Sequence, residues 1–337
     1  MESPASATLA VLGCGKCPAG RAPFLFSDGC VRCPSCGVAW PVGPHGAVNS
    51  LIDPAESVLR EIDGMRQEHL ALFPTRESFF FQKVEHVSRI EERIDASTRA
   101  GEAKNYYRST ELNFRYAFGK LGITGKERVL EIGAEHDLPF LKPFRERGCE
   151  CYATNLYSCY EELRAPIAQV VLGDMNRLPW QNESFEIVVM SAASHHSPDL
   201  PGLMRELARV TKPGGRVLLL NDPTEGWLKH ALDWCGLGSK KGGERHALVN
   251  ENEYSAAAYR REAKANGFAL QESFFSVYYD EKLRSGQVSG VRFAPLAKLV
   301  SWLWRIAPLR WLLLKTALYP GQLLIGLELN MILEKRR

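Results

Sequence analysis

The spacing of apolar positions changes along this chain, and each change predicts a different kind of element. Across residues 51–120 apolar side chains recur at mixed three- and four-residue intervals, as in 57–72 and 79–94, which predicts helices parted at Pro74. From about residue 126 short buried runs alternate with helical stretches. Residues 129–132, 150–154, 169–172 and 185–190 predict four strands, and a helix follows with Asp199 as its N-cap and Pro201 in its first turn. Leu200, Leu203, Leu207 and Val210 share one face of that helix, and Lys212-Pro213-Gly214-Gly215 stops it. Residues 216–220 predict a fifth strand, 268–279 a sixth and 323–333 a seventh. Strands that alternate with helices imply a mostly parallel α/β sheet, which binds ligands at the carboxyl ends of its strands.

The first fifty residues follow neither pattern. The chain has nine cysteines, and five of them fall between Cys14 and Cys36. Cys14-x2-Cys17, fifteen residues, then Cys33-x2-Cys36 has the spacing of a four-thiolate zinc site. Each short turn aims two sulfurs at one point, and a tetrahedral ion needs two such pairs. So short a segment has little core, and the metal would supply its folding energy. Cys30-x2-Cys33 is a competing pair, and the role of Cys30 stays open.

Length and charge narrow the function classes. At 337 residues, 45% hydrophobic and 24% charged, the chain has the balance of a globular protein. A net charge of +3 does not call for a nucleic-acid or membrane partner. Met1-Glu2-Ser3-Pro4 lacks the basic-then-apolar pattern of a secretory leader, and no apolar run has the length of a membrane span, so the expectation is a cytoplasmic protein. One apolar insertion, near 291–320, stands out. Between 296 and 318 it holds Trp302, Trp304 and Trp311 among Lys298, Arg305, Arg310 and Lys315, with Pro308 dividing it. Tryptophan and basic residues on short amphipathic helices suit peripheral contact with a membrane surface; a dimer contact and a cap over the site are the alternatives.

Successive pieces of the core, taken together, carry a resemblance. They are Val129-Leu130-Glu131-Ile132-Gly133; Gly173-Asp174 with Leu178-Pro179-Trp180; Ser184-Phe185-Glu186-Ile187-Val188 leading to Ser194-His195-His196; and Glu206-Leu207-Ala208-Arg209-Val210 leading to Lys212-Pro213-Gly214-Gly215. In this order they resemble the class I S-adenosylmethionine (SAM)-dependent methyltransferases, especially the ubiquinone-type branch. The segment with Trp40-Pro41-Val42 and Gly46-Ala47-Val48 resembles the zinc ribbons fused ahead of some bacterial methyltransferases. It is less similar to the ribbon of ribosomal RNA guanine methyltransferases, which usually place a histidine among the ligands; His45 lies too far along the chain for that slot.

The resemblance implies an α/β fold with a Rossmann-like class I methyltransferase sheet, an N-terminal zinc ribbon over 1–50, a helical linker or lid over 51–120, and the methyltransferase domain over 121–337. It implies two cofactors, SAM and a structural zinc held by Cys14, Cys17, Cys33 and Cys36. Glu131, Gly133 and Ala134 would border the amino-acid end of SAM, Asn155 its ribose, Asp174 its adenine amino group and Met175 the adenine face. Ser191 to His196 would line the methyl donor, with His195 and His196 as candidate bases or as walls of the pocket. His246 and Tyr254 lie where related enzymes place acceptor contacts.

The chain departs from the family pattern in two places. Glu135 and Asp137 stand where further glycines of the first loop are expected, and Asn155 stands where an acid usually takes both ribose hydroxyls. An altered pose, weaker affinity and lost activity are the open consequences. The expected function is methyl transfer to a small, lipid-linked or glycan-linked acceptor. The alternatives are an RNA methyltransferase guided by the ribbon, disfavoured by the lack of an N-P-P-Y-type motif and of a basic stripe, and a catalytically silent scaffold. The oligomeric state and the acceptor are not legible in the sequence.

Overall fold

The computed structural model describes residues 6–14, 17, 24–43, 46–51, 53–67, 73–80, 100–134, 138–157, 167–224, 252, 254–285, 302–309 and 328–337. An N-terminal helix α1 (Ser6–Val11) leads into a small antiparallel sheet of β1 (Leu25–Ser27), β2 (Cys30–Arg32) and β3 (Ala39–Pro41). A two-residue strand β4 (Val48–Asn49) follows, then helices α2 (Glu56–Gln67), α3 (Arg76–Phe80) and α4 (Ala100–Gly119). The core contains β5 (Arg128–Ile132), α5 (Leu141–Glu146), β6 (Glu150–Asn155), β7 (Gln169–Leu172), β8 (Phe185–Ser191), α6 (Leu200–Val210) and β9 (Thr211–Asp222). It closes with α7 (Ala256–Ala265), β10 (Phe268–Ser273), α8 (Val277–Ser285) and β11 (Leu329–Lys335).

The large sheet has eight strands in the order β10-β11-β9-β8-β5-β6-β7-β4. The pairings from β4 through β9 are parallel, whereas β11 runs antiparallel to both β9 and β10. This is the mostly parallel, Rossmann-like α/β sheet expected from the sequence, with the strand order reversing at β5, where such sheets open a ligand crevice. Its central strands are buried on both faces, which is why they read as mostly apolar runs and not as regularly alternating ones.

The N-terminal segment is not a free appendage. Leu12 bridges to Trp180, Gly13 N donates to Pro179 O at 3.0 Å, and Gln181 N donates to Val11 O at 2.9 Å. β4 adds a parallel edge strand beside β7. Leu12, Phe24 and Trp40 share one apolar cluster with Tyr152, Trp180 and Phe185 of the main sheet. Gly13 is required at this junction, because a Cβ there would lie 2.4 Å from Trp180 O.

Several sequence expectations need correction. The sixth strand ends at Ser273, and residues 277–279 belong to α8 instead. The paired aromatics Phe274-Phe275 and Tyr278-Tyr279 do not distinguish the two states there. The outcome is set from a distance by Asn113 of α4, whose Oδ1 accepts from Val277 N at 2.8 Å and so caps the helix. The seventh strand runs to Lys335, where Lys335 Nζ donates to Thr211 O at 2.8 Å; residues 310–327 lie outside the described part. The fifth strand starts at Thr211, directly after α6, with a register shift opposite Phe185 and Ile187. In the linker, α2 starts at Glu56 and α3 at Arg76, and the rest of the two expected helices, 68–72 and 81–94, lies outside the described residues. The Asp199 N-cap forms, accepting from Gly202 N at 3.0 Å.

None of the described helices is long and apolar enough to cross a membrane. Within the apolar insertion, Trp304 is buried, packs at a tilt against Phe275 and donates from Nε1 to Asp280 Oδ1 at 2.8 Å, whereas Trp302 is 59% exposed. Trp311 and the basic residues beyond it lie outside the described part.

Candidate functional site

A narrow cleft opens at the carboxyl ends of β5, β6 and β7. Its walls include Gly133, Asn155, Gly173, Asp174, Met175 and His196, and its cover is Val58 and Glu61 of α2. The chain turns sharply into it at Gly133, where φ is +72° and an added Cβ would meet the Ala193 Cβ at 2.5 Å. Only glycine tolerates both conditions, and the backbone is thereby exposed to a ligand.

Asp174 follows β7. Its Oδ1 accepts from Asn176 N at 2.8 Å, which shapes the turn, and burial pushes its carboxyl above the usual range while that N–H holds it down. Met175 is half-buried in the same wall. Glu131 is buried in β5 between Ala153 and Val189, one residue below the cleft floor at Ile132. Asn155 is engaged within the protein: Nδ2 donates to Ala134 O at 2.7 Å and Oδ1 accepts from Leu156 N at 2.8 Å. It fastens the loop after β5 to the end of β6. Ser191, at the end of β8, accepts from Asn221 Nδ2 at 2.9 Å. Glu135, Asp137 and His246 lie outside the described residues.

The two histidines have separate acidic partners. His195 is buried, and its Nδ1 lies 2.9 Å from Asp222 Oδ1 at the end of β9; the same oxygen accepts from the His195 backbone N at 3.1 Å. A carboxylate oxygen that already accepts from the backbone N is an acceptor toward the ring as well, so Nδ1 is the donor in this contact. His196 Nδ1 lies 3.1 Å from Glu61 Oε1, and the two imidazole rings are 4.2 Å apart. Tyr254 donates from its hydroxyl to Ser197 O at 2.8 Å and braces the histidine turn from behind; it is not part of the cleft wall.

Sequence reasoning missed Asp222 and Glu61. Asp222 is fully buried, and its Oδ2 has no hydrogen-bond partner among the described residues. Glu61 is 4% exposed on the same face as Val58 and Ile62. The three- and four-residue spacing of that face marks it as inward, and this signal was available in the sequence.

The sulfurs of Cys14, Cys17, Cys33 and Cys36 all lie within 4.8 Å of one another. Cys14 and Cys36 are 3.5 Å apart and Cys17 and Cys33 3.8 Å, against the roughly 3.8 Å between thiolates around a tetrahedral zinc. The donor set fits the ion. Cys30 sits in β2 opposite Ser27 and Pro41, outside this cluster. A second cavity, about 130 Å³ in volume, lies between Cys14, Trp40 and Leu51 and the turn from Asp174 to Pro179, and it shares Asp174 with the cleft.

Residues 133–219 match a family model described as a methyltransferase domain. Over 104 residues the chain is 32% identical to the phthiotriol/phenolphthiotriol dimycocerosates methyltransferase of Mycobacterium leprae, an overlap of 29% of this chain and 38% of that protein. It is 30% identical over 114 residues to the glycine/sarcosine/dimethylglycine N-methyltransferase of Actinopolyspora halophila, covering 31% and 20% of the two chains. The chain thus spans well under half the length of the curated relatives it matches. Among solved structures, the geranyl diphosphate C-methyltransferase of Streptomyces coelicolor, with Mg2+, geranyl-S-thiolodiphosphate and S-adenosyl-L-homocysteine, is similar with a TM-score of 0.44 and 15% identity, over 66% of this chain and 74% of that one.

Proposed function

We propose that this chain, whose residues 133–219 match a methyltransferase domain, binds SAM and transfers its methyl group to a small, lipid-linked or glycan-linked acceptor, with a lipid favoured. The observation that carries the reading is the chemistry of the cleft. It combines an open glycine backbone with two carboxylates, Asp174 and Glu61, and neither lysine nor arginine lines it among the described residues. Such a wall suits a ligand that bears sulfonium and ammonium charges and a donor-bearing ring. In this reading Glu131, Gly133 and Ala134 border the amino-acid end, Asn155 meets the ribose with its remaining N–H, Asp174 accepts from the adenine amino group, Met175 covers the ring, and Ser191 flanks the methyl donor.

When bound, the cofactor supplies an electrophilic methyl group. The protein's part is to orient the acceptor, exclude water and manage one proton. Asp222 orients the His195 ring through Nδ1, and we assign His195 as the residue that takes the acceptor's proton as the new bond forms. His196 forms the adjacent wall. The burial of His195 keeps competing water away. The preference for a lipid rests on the names of the Mycobacterium relatives and on exposed Trp302 beside Arg305, which would give peripheral contact at the cytoplasmic membrane surface.

We assign Cys14, Cys17, Cys33 and Cys36 to one structural zinc in a ribbon over 1–50. The linker over 51–120 acts as a lid through α2, and 121–337 forms the transfer domain. The engaged Asn155 amide favours one second reading, a methyltransferase-like partner protein without turnover. The two are separated by incubating zinc-loaded protein with methyl-labelled SAM and hydroxylated long-chain lipids in vesicles. Label in the lipid supports the enzyme; cofactor binding without label in any lipid or small hydroxyl acceptor supports the silent partner.

A further inference from the structure

The charged residues of Glu206-Leu207-Ala208-Arg209-Val210 do not line the cleft, yet they are tied to it. Glu206 and Arg209 lie three apart on α6, so their side chains are neighbours. Arg209 Nε donates to Glu206 Oε1 and Nη2 to Glu206 Oε2, both at 2.7 Å, so guanidinium and carboxylate meet fork to fork. Both groups also bond the backbone of another segment. Arg209 Nη2 donates to Leu178 O at 2.9 Å and Nη1 to Trp180 O at 2.6 Å, while Glu206 Oε2 accepts from Leu178 N at 2.7 Å. Nη1 reaches Asn182 Oδ1 as well, at 3.1 Å.

Those backbone groups belong to the stretch from Asp174 to Gln181, which lies between β7 and β8 and is neither helix nor strand. Its shape therefore depends on what its backbone groups meet. At its start, Asp174 O accepts from Arg177 N at 3.0 Å and Asp174 Oδ1 from Asn176 N at 2.8 Å. The second bond ties the direction of the carboxylate to the turn itself. Leu178, the next residue after that turn, is the one the α6 pair grips by both N and O. A lysine carries its donors on a single atom and cannot span Leu178 O, Trp180 O and both Glu206 oxygens.

We infer that Arg209 and Glu206 are positioning residues: they hold the turn from Asp174 so that its carboxylate meets the exocyclic amine of the cofactor's base, and the protein thereby selects adenine over hypoxanthine. The inference rests on the SAM reading above. Both residues act through Asp174, from a helix that contributes no residue named in the cleft wall.

The test is calorimetric titration of two stable ligands, S-adenosylhomocysteine and S-inosylhomocysteine, in which a ring carbonyl replaces the amine. Wild-type protein is expected to prefer the first by about 100-fold, because the carbonyl oxygen would face the Asp174 carboxylate. Arg209→Lys and Glu206→Gln should each reduce that preference to about tenfold and Arg209→Ala to about threefold, mainly by weakening S-adenosylhomocysteine. Asp174→Ala should abolish the preference, and adding Arg209→Ala to it should change the ratio no further. Arg209 variants that fold and weaken both ligands equally, with the preference intact, overturn this inference alone, since a purely structural role does that. Equal binding of the two ligands by wild-type protein overturns the assignment of Asp174 to the amine and this inference with it. Failure of wild-type protein to bind either ligand overturns the cofactor reading as a whole. If Arg209→Ala does not fold, Arg209→Lys and Glu206→Gln decide the matter.

Discussion

His195 Nδ1 lies 2.9 Å from Asp222 Oδ1, and that oxygen also accepts from the His195 backbone N. The ring and the peptide of one residue are thus held by a single carboxylate at the end of β9. Asp222→Asn would present an amide that permits the wrong tautomer. Methyl transfer should then slow by about 100-fold, with S-adenosylhomocysteine affinity within about twofold of wild type, because Asp222 does not line the cleft. His195→Gln should cost a similar factor, and the double variant little more than either alone. Additive losses in steady-state kcat would show that the two residues do not act as one unit.

Gly133 gives a sharper steric expectation. With φ at +72° and the Ala193 Cβ in the way, Gly133→Ala should destabilise the fold by about 1–3 kcal/mol. The displaced loop should also lose cofactor affinity. Thermal melts and S-adenosylhomocysteine titration check both effects; wild-type behaviour in the two would show that the turn relaxes without consequence.

Most of the fold was legible because buried parallel strands write themselves as mostly apolar runs, such as Val129–Ile132 within β5, broken only by Glu131, and Ile187–Met190 within β8. Gly133 and Asp174 were legible because a motif fixes their spacing from those strands. Asp222 was not, since an acid at a strand end looks like any solvated turn residue until His195 is brought to it from the neighbouring strand. The sixth strand was drawn too long because the capping amide of Asn113 is 164 residues away from Val277 in sequence. The fusion of the ribbon to the sheet through Leu12 and Trp180 has no local signal at all.

That fusion ties the four-cysteine cluster to the loop that begins at Asp174. Cys14 follows Gly13, whose N–H is bonded to Pro179 O, in the loop that begins at Asp174. Purified protein should hold about one zinc per chain. Removing it with a chelator should lower the melting temperature and weaken S-adenosylhomocysteine binding by more than about threefold. Cys36→Ser should reproduce the effect, and Cys30→Ser should retain the metal. Full affinity in the stripped, folded protein would detach the ribbon from the site.

Glu127 offers a pH-dependent expectation away from the cleft. Burial alone would raise its carboxyl, but hydrogen bonds from the Thr124 hydroxyl and the Thr124 and Gly125 backbone N–H groups hold it down at about 2, below the ordinary 4.5. A depressed carboxylate stabilises the fold above its unfolded pKa, and the contribution is lost as pH falls from about 4.5 toward about 2. Glu127→Gln should lose about 1 kcal/mol at pH 7, after allowance for solvent screening, and converge on wild type near pH 2. Parallel pH–stability curves for the two proteins would contradict this.

The central claim is that the cleft at Gly133 and Asp174 takes SAM. Calorimetric titration of S-adenosylhomocysteine into zinc-loaded protein, with Asp174→Ala alongside, tests it most directly. Micromolar binding by the wild type, weakened about tenfold or more in Asp174→Ala, is the predicted result. No detectable binding by folded, zinc-loaded wild-type protein would contradict the account, as would binding that Asp174→Ala leaves unchanged.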